Sequence, residues 1–450
     1  MNNHTRPHIL FITDDQHRHD WLGWIDDCPA RTPHLDRLRR EGIWHRHAYS
    51  NNPLCMPARC SLITGLFSRQ SGQMDNTTDW PTAFPTMPQD LQRQGYRTAM
   101  IGKLHAFEAI PTALDLTTVT DRVHAFGFDH VHEVAGKTMA WHVDCEWTHH
   151  LRRHGLLDAY RAERPMRSPV QNDGHPFPLD EEHYVDRYVG DHCVDWLKQH
   201  DPAQPFFLWA GFCSPHPAYD APASRLADHP PEAMPSPIDN PDPALWPLRR
   251  AHYAAMIEII DEQVGRLLEV LDDRGLTENT LVMFVADHGE MLGEHDLNGK
   301  CWPHDPSIRV PCLARWPGHI ADGSVSDELL SLIDLTATCI DVAGMRISDA
   351  LPDSCARTLV DHWKTPAEDF RPFIYIENSG QFHPPWQLVR TRDHKLVRWL
   401  QDGSETLHNL TRDPHECQPL DDPANRARLQ AQLDAFLIAT PALSIHQEPT

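Results

Sequence analysis

Asp14 and Asp15 directly follow the apolar run HILFIT, residues 8–13, and Asp287 and His288 directly follow LVMFVA, residues 281–286. In open α/β sheets, ligands bind beyond the carboxyl ends of the strands. Three carboxylates and an imidazole gathered there would form a site for a divalent cation. Hard oxygen donors suit Ca²⁺ or Mg²⁺, and the imidazole also admits Mn²⁺ or Zn²⁺. The plainer reading is that Asp14-Asp15 caps a helix; a second acidic strand end weighs against it. Cys55 opens the stretch CMPARCSLITG, residues 55–65, where Pro57 favours a first helical turn. A helix N-terminus offers unpaired N–H groups and positive potential, hence an anion site. Arg59, one turn on, would point to the same spot. A cysteine there is a candidate low-pKa thiolate. The plainer alternative is a buried small thiol, which is how Cys60 reads.

Further basic groups follow in order. GYRTAMIGKLH, residues 95–105, reads as a turn and a strand ending in Gly102, Lys103 and His105. His216 comes just after the apolar run PFFLWAGF, residues 205–212, and Lys300 comes shortly after Asp287-His288. Any one of these is ordinarily solvated or structurally satisfied. Together they describe a pocket for a tetrahedral oxyanion beside a metal ion, to which Asn76 in QMDNTT could belong.

The elements that must position these groups are apolar on both faces and read as central strands of a parallel or mixed sheet. Between them, residues 182–200 place Val185, Val189, Cys193 and Trp196 on one helical face. Residues 251–274 do the same with Met256, Ile260, Val264, Leu267 and Leu271. This alternation specifies an α/β sandwich, a large mixed but mostly parallel sheet with helices on both faces. The proline-rich stretch 214–248 reads as a long surface loop, a lid near the site. Residues 110–180 read as insertions that shape a pocket; His142, His149, Trp141 and Trp147 are candidate lining or, at least as readily, structural residues. From about residue 371 the texture changes to short antiparallel strands, FIYIEN, WQLVRTRDHKLVRW and ETLHNL. The expected organisation is a catalytic α/β domain, 1–370, and a small C-terminal α+β subdomain, 371–450.

Composition narrows the function classes. The chain has 450 residues and a formal charge of -24, which opposes non-specific binding to nucleic acid or anionic membranes. An anionic substrate therefore needs a local basic pocket inside an acidic shell. The 32 histidines exceed what any metal site uses, so their number alone proves none. No run approaches the length of a membrane span, and the first residues lack a signal-peptide pattern. The 11 cysteines are scattered and never spaced CxxC, which fits reduced thiols and a cytoplasmic location. Without secretion, the glycosylation triplets at Asn3, Asn76 and Asn409 read as chance.

The ordered motifs resemble the sulfatase branch of the alkaline-phosphatase superfamily. They are DD, then C-x-P-[SA]-R-x-x-L-x-T-G, G-Y-x-T-x-x-x-G-K-x-H, a P-H-x-P variant, A-D-H-G, a lysine and R-V-P. Framework segments such as FGFDH (126–130), IRVPCLARWPG (308–318) and LHNLTRDPHE (407–416) extend the likeness over most of the chain. The resemblance implies that a formylglycine-generating enzyme converts Cys55 to formylglycine (3-oxoalanine), hydrated to a geminal diol. It implies one divalent ion, Ca²⁺ in a sulfatase, held by Asp14, Asp15, Asp287 and His288. Arg59 and Lys103 would orient the diol, and His105 would take its second proton. His216 and Lys300 would bind the oxyanion and protonate the leaving alcohol, with Asn76 in the same pocket.

Four positions depart from the commoner pattern: Met56, Ala58, His288 in place of asparagine, and Asp305 in place of glutamate. Ala58 with His288 also occurs in phosphonate monoester and phosphodiester hydrolases of the superfamily, although those tend to lack the Lys and His of GKLH. The expected activity is hydrolysis of a small anionic sulfate ester. The alternatives are a phosphonate monoester or phosphodiester, a sulfamate, or a catalytically dead binding protein, the last opposed by the intact residue set. A homo-oligomer is compatible with the sequence.

Overall fold

The computed structural model describes residues 6–163, 174–364 and 370–443. The Asn3 triplet and residues 164–173 of the expected 110–180 insertion lie outside the described residues. The first six strands are β1 (His8–Asp15), β2 (Ile43–Tyr49), β3 (Arg97–Gly102), β4 (His130–Glu133), β5 (Phe206–Pro215) and β6 (Thr280–Ala286), of which the apolar runs β1, β5 and β6 are buried along their lengths. With β7 (Arg309–Val310), β8 (Cys312–Arg315) and β9 (Ser324–Ser331) they build one nine-stranded sheet in the order β4-β3-β5-β1-β6-β8-β2-β7, β9 pairing with β2. The pairs β4-β3, β3-β5, β5-β1, β1-β6 and β2-β9 are parallel. The β8 and β7 pairings are antiparallel. The sheet is therefore mixed and mostly parallel.

Helices cover it. The Val185–Gln199 and Pro247–Asp273 helices carry the expected apolar positions inward. All ten residues of the Cys55–Thr64 helix are buried, so no face of it is solvated and its sequence shows no amphipathic stripe. Gly65 ends that helix in the left-handed conformation at φ 69°, where a side chain would be strained. Thr336 Oγ1, on the neighbouring Ile333–Val342 helix, donates to the Leu62 carbonyl at 2.8 Å and anchors it.

A second, antiparallel sheet follows: β10 (Ile374–Asn378), β11 (Trp386–Arg390), β12 (His394–Trp399) and β13 (Glu405–Asn409), in sequence order. The Pro423–Ala439 helix packs on it through Leu429 and Leu433. Asp305, the departure noted above, joins the two sheets. It is buried between Arg390 and Lys395, both at 3.4 Å. Burial pushes its carboxyl up, but these cations and Arg309 outweigh that and hold it below the usual range.

One expectation fails here, and one pair of alternatives is decided. Stretch 214–248 is not a lid. It carries the short helices Ala223–Leu226, Pro231–Ala233 and Pro243–Leu245, and of its residues only His216 lines the cavity at Cys55. The aromatic residues of the insertion are structural. Trp147 is fully buried, edge-on to Tyr160, with its Nε1 donating to the His183 carbonyl at 2.9 Å. His149 Nε2 pairs with Asp115 at 2.8 Å, and Trp141 and His142 also lie away from the cavity lining.

Candidate active site

Sheet register brings the ligand set together. Asp14 pairs with Ala286, the residue before Asp287, and Gly102, just before Lys103, pairs with Gly211. The carboxyl ends of β1, β3, β5 and β6 thus deliver Asp14-Asp15, Lys103, His216 and Asp287-His288 to one place. Two glycines permit the approach. A Cβ at Gly211 would lie 2.4 Å from the Lys103 carbonyl oxygen, and one at Gly289 would lie 2.0 Å from that of Pro306. Asp14-Asp15 caps no helix, since the first helix after β1 starts at Pro33.

Cys55 Sγ is the centre. Lys300 Nζ donates to it at 2.8 Å, His288 Nε2 lies at 3.3 Å and Asp15 Oδ1 at 3.8 Å. The thiol is 1 % exposed. Burial alone would push its pKa up, yet the field of Lys300, Lys103 and His288 wins and holds it well below the ordinary thiol range. By contrast Cys60, buried without such cations, is pushed up to about 12. The plainer reading of Cys60 holds and that of Cys55 does not.

Arg59 is fully buried and ties the set. Its Nε donates to Asp287 Oδ2 at 2.8 Å, its Nη1 to the Lys103 carbonyl at 2.8 Å, and its Nη2 lies 3.4 Å from Asp15 Oδ2. Lys103 Nζ is hydrogen-bonded to Asp15 Oδ2. Burial and the neighbouring thiolate raise Asp15, but Lys103, His216 and Arg59 outweigh them and keep it ionised. Asn76 Oδ1 accepts the Met56 N–H at 2.9 Å, so it satisfies an otherwise orphaned donor at the helix start while lining the cavity.

The histidines differ in what they can do. His288 Nδ1 lies 3.0 Å from the Gly289 carbonyl. A carbonyl can only accept, so Nδ1 carries a proton; burial lowers the ring's pKa, but the Asp287 carboxylate outweighs it and the net shift is upward, while Nε2 faces Cys55 and the carboxylates of Asp15 and Asp287. His216 Nδ1 donates in the same way to the Pro217 carbonyl at 2.6 Å. Burial and the nearby Lys300 lower its pKa. Burial brings His105 down to about 4, so it is a neutral imidazole near pH 7.

The donors fit a divalent ion. Single ligand atoms of Asp15, Asp287, His288 and Cys55 lie within 4.8 Å of one another. Asp14, expected as a fourth protein ligand, is not among these four. Its Oδ2 is 2.5 Å from His17 Nδ1, while its buried Oδ1 has no partner, and burial raises its pKa to about 6. A buried carboxylate oxygen without a donor is where a cation would compensate the desolvation.

The cavity over Cys55 holds about 320 Å³ and is lined by Lys103, His105, His216 and Lys300 among others. A larger one of about 530 Å³ is lined by Arg18, Arg250 and Arg309, and burial pushes its cysteine, Cys28, up to about 12, so it offers no thiolate. Two of these arginines, Arg18 and Arg250, are already paired with Glu294.

Sequence reasoning missed several contributors. Glu133, at the end of β4, accepts the His105 backbone N–H at 3.3 Å, and burial pushes it up to about 8. A carboxylate ending a strand was its signal, the same one that marked Asp14. Gln16 donates its backbone N–H to Asp287 Oδ1 at 3.0 Å, and His17 orients Asp14. Gln381 and Phe382 reach the cavity from the loop after β10, where no spacing betrays them.

Known proteins resemble the chain over most of its length. The family model described as Sulfatase matches residues 7–345, and N-sulphoglucosamine sulphohydrolase, C-terminal, matches residues 293–441. An arylsulfatase of Clostridium perfringens is 27% identical over 443 residues, covering 91% of this chain and 89% of that one. The phosphonate monoester hydrolase of Agrobacterium radiobacter superposes with a TM-score of 0.78 at 22% identity, covering 97% and 95% of the two chains. A protein solved with its substrate D-glucosamine-2-N,6-O-disulfate superposes with a TM-score of 0.72 at 20% identity, covering 97% of each chain. These two structures share the fold.

Proposed function

This chain belongs to the sulfatase family, and we propose that it hydrolyses sulfate esters to alcohol and inorganic sulfate through an oxidised Cys55. The observation that carries the proposal is the convergence of Lys300 Nζ and His288 Nε2 on Cys55 Sγ, at 2.8 and 3.3 Å. That sulfur stands where the oxygens of a hydrated aldehyde would lie. A formylglycine-generating enzyme would supply the aldehyde, and the same cations that depress the thiol pKa would favour an ionised hydroxyl.

Asp14, Asp15, Asp287 and His288 would hold a divalent ion, with Ca²⁺ the best match to three hard carboxylates and Mg²⁺, Mn²⁺ or Zn²⁺ compatible. When bound, the ion supplies positive charge against the nucleophile and the sulfate. Asp287 accepts the proton of one hydroxyl at position 55. That oxygen bonds to sulfur as the bond from sulfur to the alcohol oxygen breaks, and His216 or Lys300 returns a proton to the alcohol. Arg59 and Lys103 hold the diol in place. His105, neutral near pH 7, then takes the proton of the second hydroxyl; the carbonyl re-forms and sulfate leaves. A thiolate could not do this last step, because it has no second hydroxyl.

The reading includes a maturation partner, no nucleic-acid or membrane partner, and a division at residues 370/371. All 11 cysteines are free, which supports a reducing, cytoplasmic location. A phosphonate monoester or phosphodiester is the second reading. It carries the same single charge as a sulfate monoester, and His288 occupies the metal position as it does in those relatives. Turnover of 4-nitrophenyl sulfate against a 4-nitrophenyl phenylphosphonate separates the two. Higher kcat/KM on the sulfate is expected; a preference for the phosphonate would overturn the sulfatase assignment.

A further inference from the structure

The mouth of the Cys55 cavity is built from carbon. Among the described residues seven large hydrophobic side chains are exposed, and two of them, Ile110 at 48% and Phe382 at 56%, line this one cavity. Phe107 and Met139 continue the apolar surface inward. Exposed apolar side chains gathered at a pocket mark a contact surface, whereas scattered ones do not.

Three polar atoms at the same rim are already engaged within the protein. Gln381 Oε1 accepts the Asn76 N–H at 2.8 Å, Asn76 Oδ1 accepts the Met56 N–H at 2.9 Å, and Thr77 Oγ1 donates to Asp75 at 2.6 Å. A sugar would need several free donors and acceptors to replace its lost water. Glu108 adds a carboxylate to the lining, which would repel a second anionic group on the substrate. The volume of about 320 Å³ is small for a ligand site.

The rim is also held in place. Ser379 Oγ donates to the Met74 carbonyl at 2.7 Å, and His383 stacks on Trp302 with ring centroids 3.9 Å apart. Phe382, between these two anchors, is thus presented on a braced loop, so its exposure is a built feature.

Resting on the sulfatase reading above, we propose that the ester carries a single sulfate on a compact apolar alcohol, aryl or alkyl, and that Phe382 and Ile110 are the specificity-determining side chains.

The test uses the full chain co-expressed with a formylglycine-generating enzyme, and three esters: 4-nitrophenyl sulfate, 3-phenylpropyl sulfate and glucose 6-sulfate. The last two are sulfates of primary alcohols, so intrinsic reactivity is similar and the contrast reads the pocket. The expected result is a kcat/KM for 3-phenylpropyl sulfate at least about tenfold above that for glucose 6-sulfate. Phe382→Ala and Ile110→Ala should each raise KM for the phenylpropyl ester by about three- to tenfold, with kcat little changed, as expected for a lost apolar contact. Equal or better turnover of glucose 6-sulfate, or variants with unaltered KM, would overturn this inference while leaving the sulfatase reading intact. Failure to hydrolyse any of the three would overturn both.

Discussion

At the scale of the residue, the chemistry rests on Cys55 and the cations around it. Replacing Cys55 by alanine removes the only atom able to become the nucleophile. Activity should fall by a factor on the order of 10⁴ or more, while the melting temperature stays within a few degrees; enzyme assay and thermal unfolding together check this. His105→Ala should leave the first transfer intact but block release, so intact-protein mass spectrometry should find one added sulfuryl group after mixing with substrate. An unmodified mass would remove His105 from that role. Most of these residues were legible because a strand end or a helix start dictates where such groups point. Gln16 and His17 were not, since single polar residues in turns carry no periodicity, whereas Glu133 ends a strand as Asp14 does and its signal went unread. His149 and Trp147 stayed open between two readings because an aromatic or imidazole side chain in an insertion looks the same whether it faces a pocket or the core.

At the scale of the element, strand ends and close approaches decide whether the site forms. Gly211→Ala would place a Cβ 2.4 Å from the Lys103 carbonyl oxygen, forcing β5 and the Lys103 backbone apart. We expect a larger fractional loss of kcat than of folded protein, read by assay against circular dichroism. The end of β4 carries a pH-dependent element. Burial raises Glu133 from the ordinary glutamate value to about 8. A raised carboxylate binds its proton more tightly in the folded state, so its contribution to stability is present at low pH and declines as pH rises from about 4.5 to about 8. Glu133→Gln keeps an acceptor for the His105 N–H and removes the titration. It should match the native protein near pH 5 and be more stable near pH 9, by an amount on the order of a few kcal/mol, in denaturant unfolding at the two pH values. The strands were legible from apolar runs, and the long helices from their periodicity. The Cys55–Thr64 helix showed only its start and stop signals, Pro57 and Gly65, because burial on every side erases amphipathic patterning. The supposed lid failed for a related reason: proline density reports irregular backbone, not what that backbone covers.

At the scale of the whole molecule, two sheets meet around Asp305, which is buried between Arg390 and Lys395. Asp305→Ala would leave both cations without that partner in the interior and should cost on the order of 3–5 kcal/mol, seen as a lower denaturation midpoint. A loop of the second sheet, tied to Met74 and Trp302, holds Phe382 over a cavity that belongs to the first, a relation no local pattern could disclose. Removal of divalent ions with a chelator should abolish turnover and lower the melting temperature, since three clustered carboxylates would lose their counter-charge, and added Ca²⁺ should restore both. The central claim is that residue 55 works as a hydrated aldehyde. It is tested most directly by preparing the protein with graded amounts of formylglycine-generating enzyme and measuring, for each batch, the aldehyde fraction of the Cys55 peptide and the rate of sulfate release. A rate proportional to that fraction and vanishing with it is predicted; full activity from protein whose residue 55 is still a thiol would contradict the account.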